Sequence, residues 1–282
     1  MSAMTADTLE SVGPTKHGGV GAVRSGGPLT LVSMEVRKLK GSSFWWMAMG
    51  MVALVSLWSG FALMDRAGDN PATRTVTLAQ GDVYELVGLL APILAALLTS
   101  RLAVMETGGR MDLKWRSLGQ GESGLFLAKL AVAGTALSLV FVVPLAWTPL
   151  AASAMGFESS GGLPSLMLAP ALVAFLSCMA VTAVQLMLSM TIGKQAVGLG
   201  VGVIAGLVGS GLGPLNVAQA GWLFPAGVSS AASPFLVTAT PDGFARMTLV
   251  ANPWALVLAG LVACIVWTGV SAFVIMVKES HR

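Results

Sequence analysis

Four stretches of this chain contain no charged side chain at all: 130–157, 159–193, 195–241 and 247–277. Each is long enough to cross a bilayer, since about 30 Å of hydrocarbon at 1.5 Å rise per residue needs roughly 20 apolar residues. Charged residues make up 10% of the chain and hydrophobic ones 55%, with a mean hydropathy of +0.80. A soluble chain of that composition could not cover its own core with polar surface, so lipid must be part of its solvent. The expectation is an all-α polytopic membrane protein with six transmembrane helices. The net charge of +3 is too small to suggest a nucleic-acid partner.

The six apolar runs are 44–64, 84–104, 130–151, 166–192, 196–215 and 254–277. Trp45 and Trp46 open the first as an interfacial aromatic anchor would, and Glu85 and Arg101 lie near the ends of the second, where long side chains reach headgroups. Six crossings place both termini on one side. Thirteen of the sixteen Lys and Arg fall on that side, leaving Arg66, Arg74 and Arg246 opposite. This bias predicts cytoplasmic termini and a cytoplasmic loop around Lys114.

Residues 1–28 are rich in Gly, Ser and Thr and lack an apolar stretch of signal-peptide length, which predicts a disordered cytoplasmic tail ahead of a membrane domain over 29–282. From 29 to 41 apolar Leu29, Leu31, Val32, Met34, Val36 and Leu39 alternate with polar Glu35, Arg37, Lys38 and Lys40 before Gly41. The pattern suggests an amphipathic elbow helix on the inner membrane surface, with a plain basic flank as the alternative.

The chemistry that is missing narrows the function. His17 and His281 lie outside the spans, so no intramembrane histidine can act as base or metal ligand. Gly209-Ser210-Gly211 has the outline of a serine nucleophile, but with no base in the bilayer it reads as packing. Cys178 and Cys264 lie in apolar runs, where thiols pack as small hydrophobes. The third to sixth runs contain no ionisable group of the kind that ties ion movement to substrate. Gly193-Lys194 is followed by Gln195, with Leu188 where a phosphate-binding loop needs glycine. Uphill movement would need energy from a partner.

The stretch Met105-Glu106-Thr107-Gly108-Gly109-Arg110-Met111-Asp112-Leu113-Lys114-Trp115-Arg116, continuing through 117–123 to Lys129, gives a positive suggestion. With Glu106, Gly108, Trp115 and Lys129 in order, it resembles the ABC-2 type permease family. Glu35 and Lys38, followed by Ser42, Ser43 and Trp45, look like that family's N-terminal segment. One departure is the lack of Pro in Gly119 to Ser123, where the family commonly has Pro and Ser. The resemblance implies a type V exporter-like transmembrane domain, most similar to lantibiotic-immunity and bacitracin-type export permeases. It further implies a cytosolic ABC ATPase subunit dimer that binds ATP and Mg, a second permease subunit, identical or related, and no cofactor in this chain.

Within 105–123, Leu113 and Trp115 are apolar groups among Arg110, Asp112, Lys114 and Arg116, a composition suited to an aromatic anchor with a charged rim. By resemblance these residues and Glu106 couple to the ATPase; the alternative is Trp115 in the headgroup layer beside anionic lipid. Gly198, Gly202, Gly206, Gly209 and Gly213 give the fifth run small-xxx-small spacing for close packing or a hinge. Met179, Met187, Gln185 and Ser189 in the fourth run are candidates for a translocation path, with ordinary packing as the alternative. Segment 216–253 is long and apolar, with Trp222, Phe224 and Pro225, and is expected to re-enter the membrane; by resemblance it would form short helices acting as an outer gate.

The reading is a non-catalytic permease subunit of an ATP-driven exporter in a bacterial cytoplasmic membrane, moving an amphiphilic or apolar compound such as an antimicrobial peptide. The rival is an ATP-independent carrier or a sensing and binding subunit.

Overall fold

A computed structural model of the chain describes residues 27–68, 71–107, 122–159, 162–192, 194–239 and 245–281. It is mainly helical: α1 (Pro28–Leu39), α2 (Ser43–Gly68), α3 (Val76–Thr107), α4 (Glu122–Ala154), α5 (Leu163–Ile192), α6 (Gln195–Gly211), the single turn α7 (Val228–Ala231) and α8 (Pro253–Ser280). Five of these, α2, α3, α4, α5 and α8, are long and apolar enough to cross a membrane. The sixth, α6, has 17 residues, or about 25 Å at 1.5 Å per residue, just short of the hydrocarbon thickness. The tail expected over 1–28 lies outside the described residues except for Gly27 and Pro28.

The long helices are hydrophobic all round, so no apolar stripe marks the face each one buries. In α2 the buried set is Phe44, Ala48, Met51, Val55, Ser59 and Leu63, a helical repeat, while Trp46, Met49, Leu54, Leu57, Trp58 and Phe61 are exposed. α8 buries only Gly260, Ser271 and Ile275 and exposes Leu258, Val262, Ile265 and Phe273. Apolar surface of that extent is stable only against lipid or another apolar chain. Helices α3, α4 and α5 form the centre, with α2 against α4, α6 against α3 and α8 against α5.

Several of these helices contain proline, which removes an N–H and frees the carbonyl four residues earlier. Pro149 of α4 frees the Leu145 carbonyl and Pro170 of α5 frees that of Leu166. The fully buried Gln80 of α3 donates through Nε2 to both, at 3.2 Å to Leu145 and 2.6 Å to Leu166. One side chain therefore joins three helices by repairing the bonds that two prolines opened.

Two faces of the bundle can be told apart. One carries α1, where Arg101 Nη2 donates to Ser43 Oγ at 2.8 Å and Lys278 Nζ donates to the Met190 carbonyl at 2.7 Å, capping the open C-terminus of α5. The other carries the Arg66–Asp82 ion pair, with Nη2 to Oδ1 at 2.6 Å, and an antiparallel hairpin of β1 (Phe235–Ala239) and β2 (Ala245–Leu249). Here the sequence reading needs correction. Short helices were expected across 216–253, and the segment does form short 3-10 helices at Ala218–Leu223 and Pro225–Gly227 and the single turn α7, but it then adds this hairpin. The five-residue runs, with Phe235, Val237, Thr238 and Thr248 as their strand-favouring residues, flank Pro241-Asp242-Gly243, a turn-forming sequence.

Candidate functional site

On the α1 face, Glu35 is 4% exposed, whereas the sequence reading placed it on the polar side of a surface helix. Its Oε1 accepts from Lys38 Nζ at 2.6 Å and lies 3.6 Å from Lys129 Nζ of α4, whose side chain is 1% exposed. Leu39, also buried, and Leu31, against Gly124 of α4, pack beside it, while Leu29, Val36 and Arg37 point outward. A carboxylate and the Lys129 ammonium are thus held out of water between α1 and α4, with the partly exposed Lys38 at their edge. Breaking one member out of a buried ion pair typically costs roughly 3–5 kcal/mol. Arg110, Asp112, Leu113, Lys114, Trp115 and Arg116 lie outside the described residues, as does the side chain of Glu106, whose backbone ends α3.

Halfway through the bundle, α6 lies directly on α3. A Cβ on Gly206 would stand 2.3 Å from the Leu89 carbonyl oxygen and one on Gly202 2.7 Å from that of Pro92, so glycine is required for the two backbones to touch. Gly209 makes the same approach to the Ala226 carbonyl, whereas Gly213 lies beyond the helix with open space around it and is not part of the stripe. Ser210 Oγ donates to the Leu207 carbonyl of its own helix at 3.1 Å.

The turns after α6 insert between the helices. Asn216, at φ 57°, reverses the chain, and Gly221 and Gly227 press together so closely that a Cβ on Gly221 would meet the Gly227 carbonyl oxygen at 2.3 Å. Val228 and Ala232 are fully buried. The chain's single tyrosine, Tyr84 of α3, donates to the Ser229 carbonyl at 2.8 Å, and Ser230 Oγ donates to the Gly209 carbonyl at 2.8 Å. Thr77 Oγ1 donates to the Met247 carbonyl at 2.9 Å, and Tyr84 meets Phe235 edge to face. These ties hold the segment and the hairpin to α3 and α6.

Under this segment lies a cavity of about 210 Å³. Pro92 of α3, Val184 and Gln185 of α5, Val201 of α6, and Phe224 and Pro225 line it, so one candidate path residue and two candidate gate residues share a single chamber. Gln185 is 3% exposed and its Oε1 has no hydrogen-bond partner. An unpaired acceptor in such surroundings costs about 1–3 kcal/mol. Ser189, one turn on, donates to the Gln185 carbonyl at 2.9 Å and lies 3.2 Å from Thr99 Oγ1 of α3.

The remaining candidates are elsewhere. Met179 packs its sulfur over Gly134 of α4, and Met187 sits with it in a cluster containing Phe126, Leu186 and Ile275 between α4, α5 and α8. Both pack in this cluster, on a different side of α5 from Gln185. Trp222 is half-buried and faces a shallow groove along α8 with Val262 and Trp267. Among the described residues no group of three or more His, Cys, Asp and Glu comes together as a metal site requires, and both cysteines are free thiols.

Gln80, Tyr84 and Lys278 were not singled out as functional in the sequence. For Gln80 the signal was present as two prolines, but nothing in one dimension states which helix faces the carbonyls they free.

Residues 31–209 match the family model described as ABC-2 family transporter protein. No curated protein matches the chain. The matched region runs from the buried ion cluster of α1 through the glycine stripe of α6, and with its multiple apolar helices the chain belongs to the ABC-2 transporter family as a multi-pass transmembrane subunit of an ABC transporter.

Proposed function

We propose that this subunit is the permease half of an ATP-driven exporter, in which ATP and Mg are bound by a separate cytosolic ATPase dimer and a second permease subunit completes the path. The observation that carries this reading is the buried Glu35–Lys129 contact at 3.6 Å. It fastens α1 to the start of α4, the helix that leads out of loop 105–123, so displacement of that loop is delivered to α1 and α4 together. Trp115 and Leu113 would anchor the ATPase within a rim of Arg110, Asp112, Lys114 and Arg116. Glu106 would stand at the hinge between α3 and the loop, and Arg37 and Lys38 on the inner leaflet.

The chamber at Gln185 and the segment bearing Phe224 and Pro225 would form part of the path and its outer end. An amphiphilic or apolar cargo suits this lining, with antimicrobial peptides first by family resemblance. The positive-inside bias supports cytoplasmic termini in a bacterial plasma membrane. The rival, an ATP-independent carrier or sensing subunit, draws on the same chamber, which needs no nucleotide in order to be filled.

Affinity purification of the full chain from its native membrane in mild detergent separates the two. An ABC ATPase should co-elute and hydrolyse ATP, and Trp115→Glu should abolish co-elution while leaving the bundle folded. Elution of the folded wild-type chain without any ATPase would overturn the proposal.

A further inference from the structure

We infer that the Gln185 chamber binds a compact apolar ring carrying one hydrogen-bond donor, with the Gln185 amide oxygen as acceptor. The inference uses the exporter reading only to call that ring part of a cargo; the binding itself stands without it. An enclosed apolar cavity of about 150 Å³ admits benzene, and this partly open pocket, at about 210 Å³, leaves room for a fused or substituted ring. Gln185 is the only polar side chain among those lining it. A trapped water needs two to four polar partners, so water is poorly held here, whereas a ring with a single N–H or O–H satisfies the orphaned Oε1 and fills the rest with apolar contact. Oε1 is itself occluded, so binding requires the terminal amide to turn about its last torsion and present the acceptor to the ring, which leaves α5 in place. The walls are preformed: α6 cannot shift toward Pro92, because Gly202 already touches that residue's carbonyl, and Phe224 and Pro225 supply flat surfaces at one end.

Indole and indene test the chemistry directly, being nearly the same shape with and without the donor. Radiolabelled indole is equilibrated with the full chain in lipid nanodiscs, without any ATPase, and with empty nanodiscs to measure partitioning. Saturable binding near one per chain is expected, with indene competing about tenfold or more weakly, the equivalent of one lost hydrogen bond. Gln185→Leu should weaken indole by a similar factor, and Ala205→Phe, which fills the chamber, should remove binding. Indole uptake equal to that of empty nanodiscs, or equal competition by indene in the wild-type chain, would overturn the inference without relying on any variant.

The ring can come from a free small molecule or from a tryptophan side chain of a peptide. Displacement of indole by a Trp-containing amphiphilic peptide but not by its Trp→Phe form assigns the peptide source; saturable indole binding that neither peptide displaces assigns the free molecule. Binding retained in a chain that never recruits an ATPase would leave the chamber standing and the exporter reading fallen.

Discussion

Gln80 sits where two prolines have each opened a helix, and its amide closes both gaps. Gln80→Leu keeps the volume but leaves the Leu145 and Leu166 carbonyls unpaired away from water, so a loss of about 2 kcal/mol or more is expected, read as a lower unfolding temperature in detergent. Glu35 is held more severely, between Lys38 and the buried Lys129. Glu35→Ala should cost roughly 3–5 kcal/mol, and Glu35→Leu combined with Lys129→Met should recover much of it, because a buried pair replaced together by apolar groups is far less costly than a pair broken on one side. Melting of the single and double variants in the same micelle checks this. The sequence exposed Glu35, Lys38 and Lys129 as polar residues near a membrane edge, but not their meeting: a helical repeat over twelve residues cannot reveal that a carboxylate turns inward when its partner lies in another helix. The path candidates divided for the same reason. Gln185 and Met187 are two residues apart and lie on different sides of α5, one on the chamber and the other against α4 and α8.

Helix α6 shows how an element is placed by what its residues lack. Gly206→Ala must push α6 off the Leu89 carbonyl, while Gly200, with open space around it, accepts a methyl freely. Gly206→Ala should therefore destabilise by about 1–3 kcal/mol, as overpacking does. Gly200→Ala should be neutral or gain up to about 1 kcal/mol from helix propensity. Thermal unfolding of the two variants side by side distinguishes contact from composition. The membrane helices were the most legible elements, because the gaps between charges are set by bilayer thickness and need no tertiary information. The ends were less so: α3 begins at Val76, eight residues before the apolar run read from sequence, so Asp82 lies within its helix. The hairpin was the clear miss. Five-residue strands inside a long apolar segment look like any membrane-seeking run, and the sequence Pro241-Asp242-Gly243 was the signal that could have separated them.

At the scale of the whole molecule, α3, α4 and α5 form a tied centre, and α2 and α8 present broad apolar faces outward. The centre is clamped at one end by Glu35, Lys129 and Lys278 and at the other by Gln80, Tyr84 and the Arg66–Asp82 pair. A body clamped at both ends moves in large pieces when pushed, which suits a subunit driven from outside by nucleotide-dependent motion of a partner. The decisive measurement is transport into sealed vesicles of a fluorescent amphiphilic peptide, with the chain reconstituted alone or with its ATPase, under imposed proton or sodium gradients or with ATP. Accumulation only when ATPase and ATP are both present is the expected result. Gradient-driven accumulation by the chain alone would contradict the central claim that its motion is supplied by a nucleotide-hydrolysing partner.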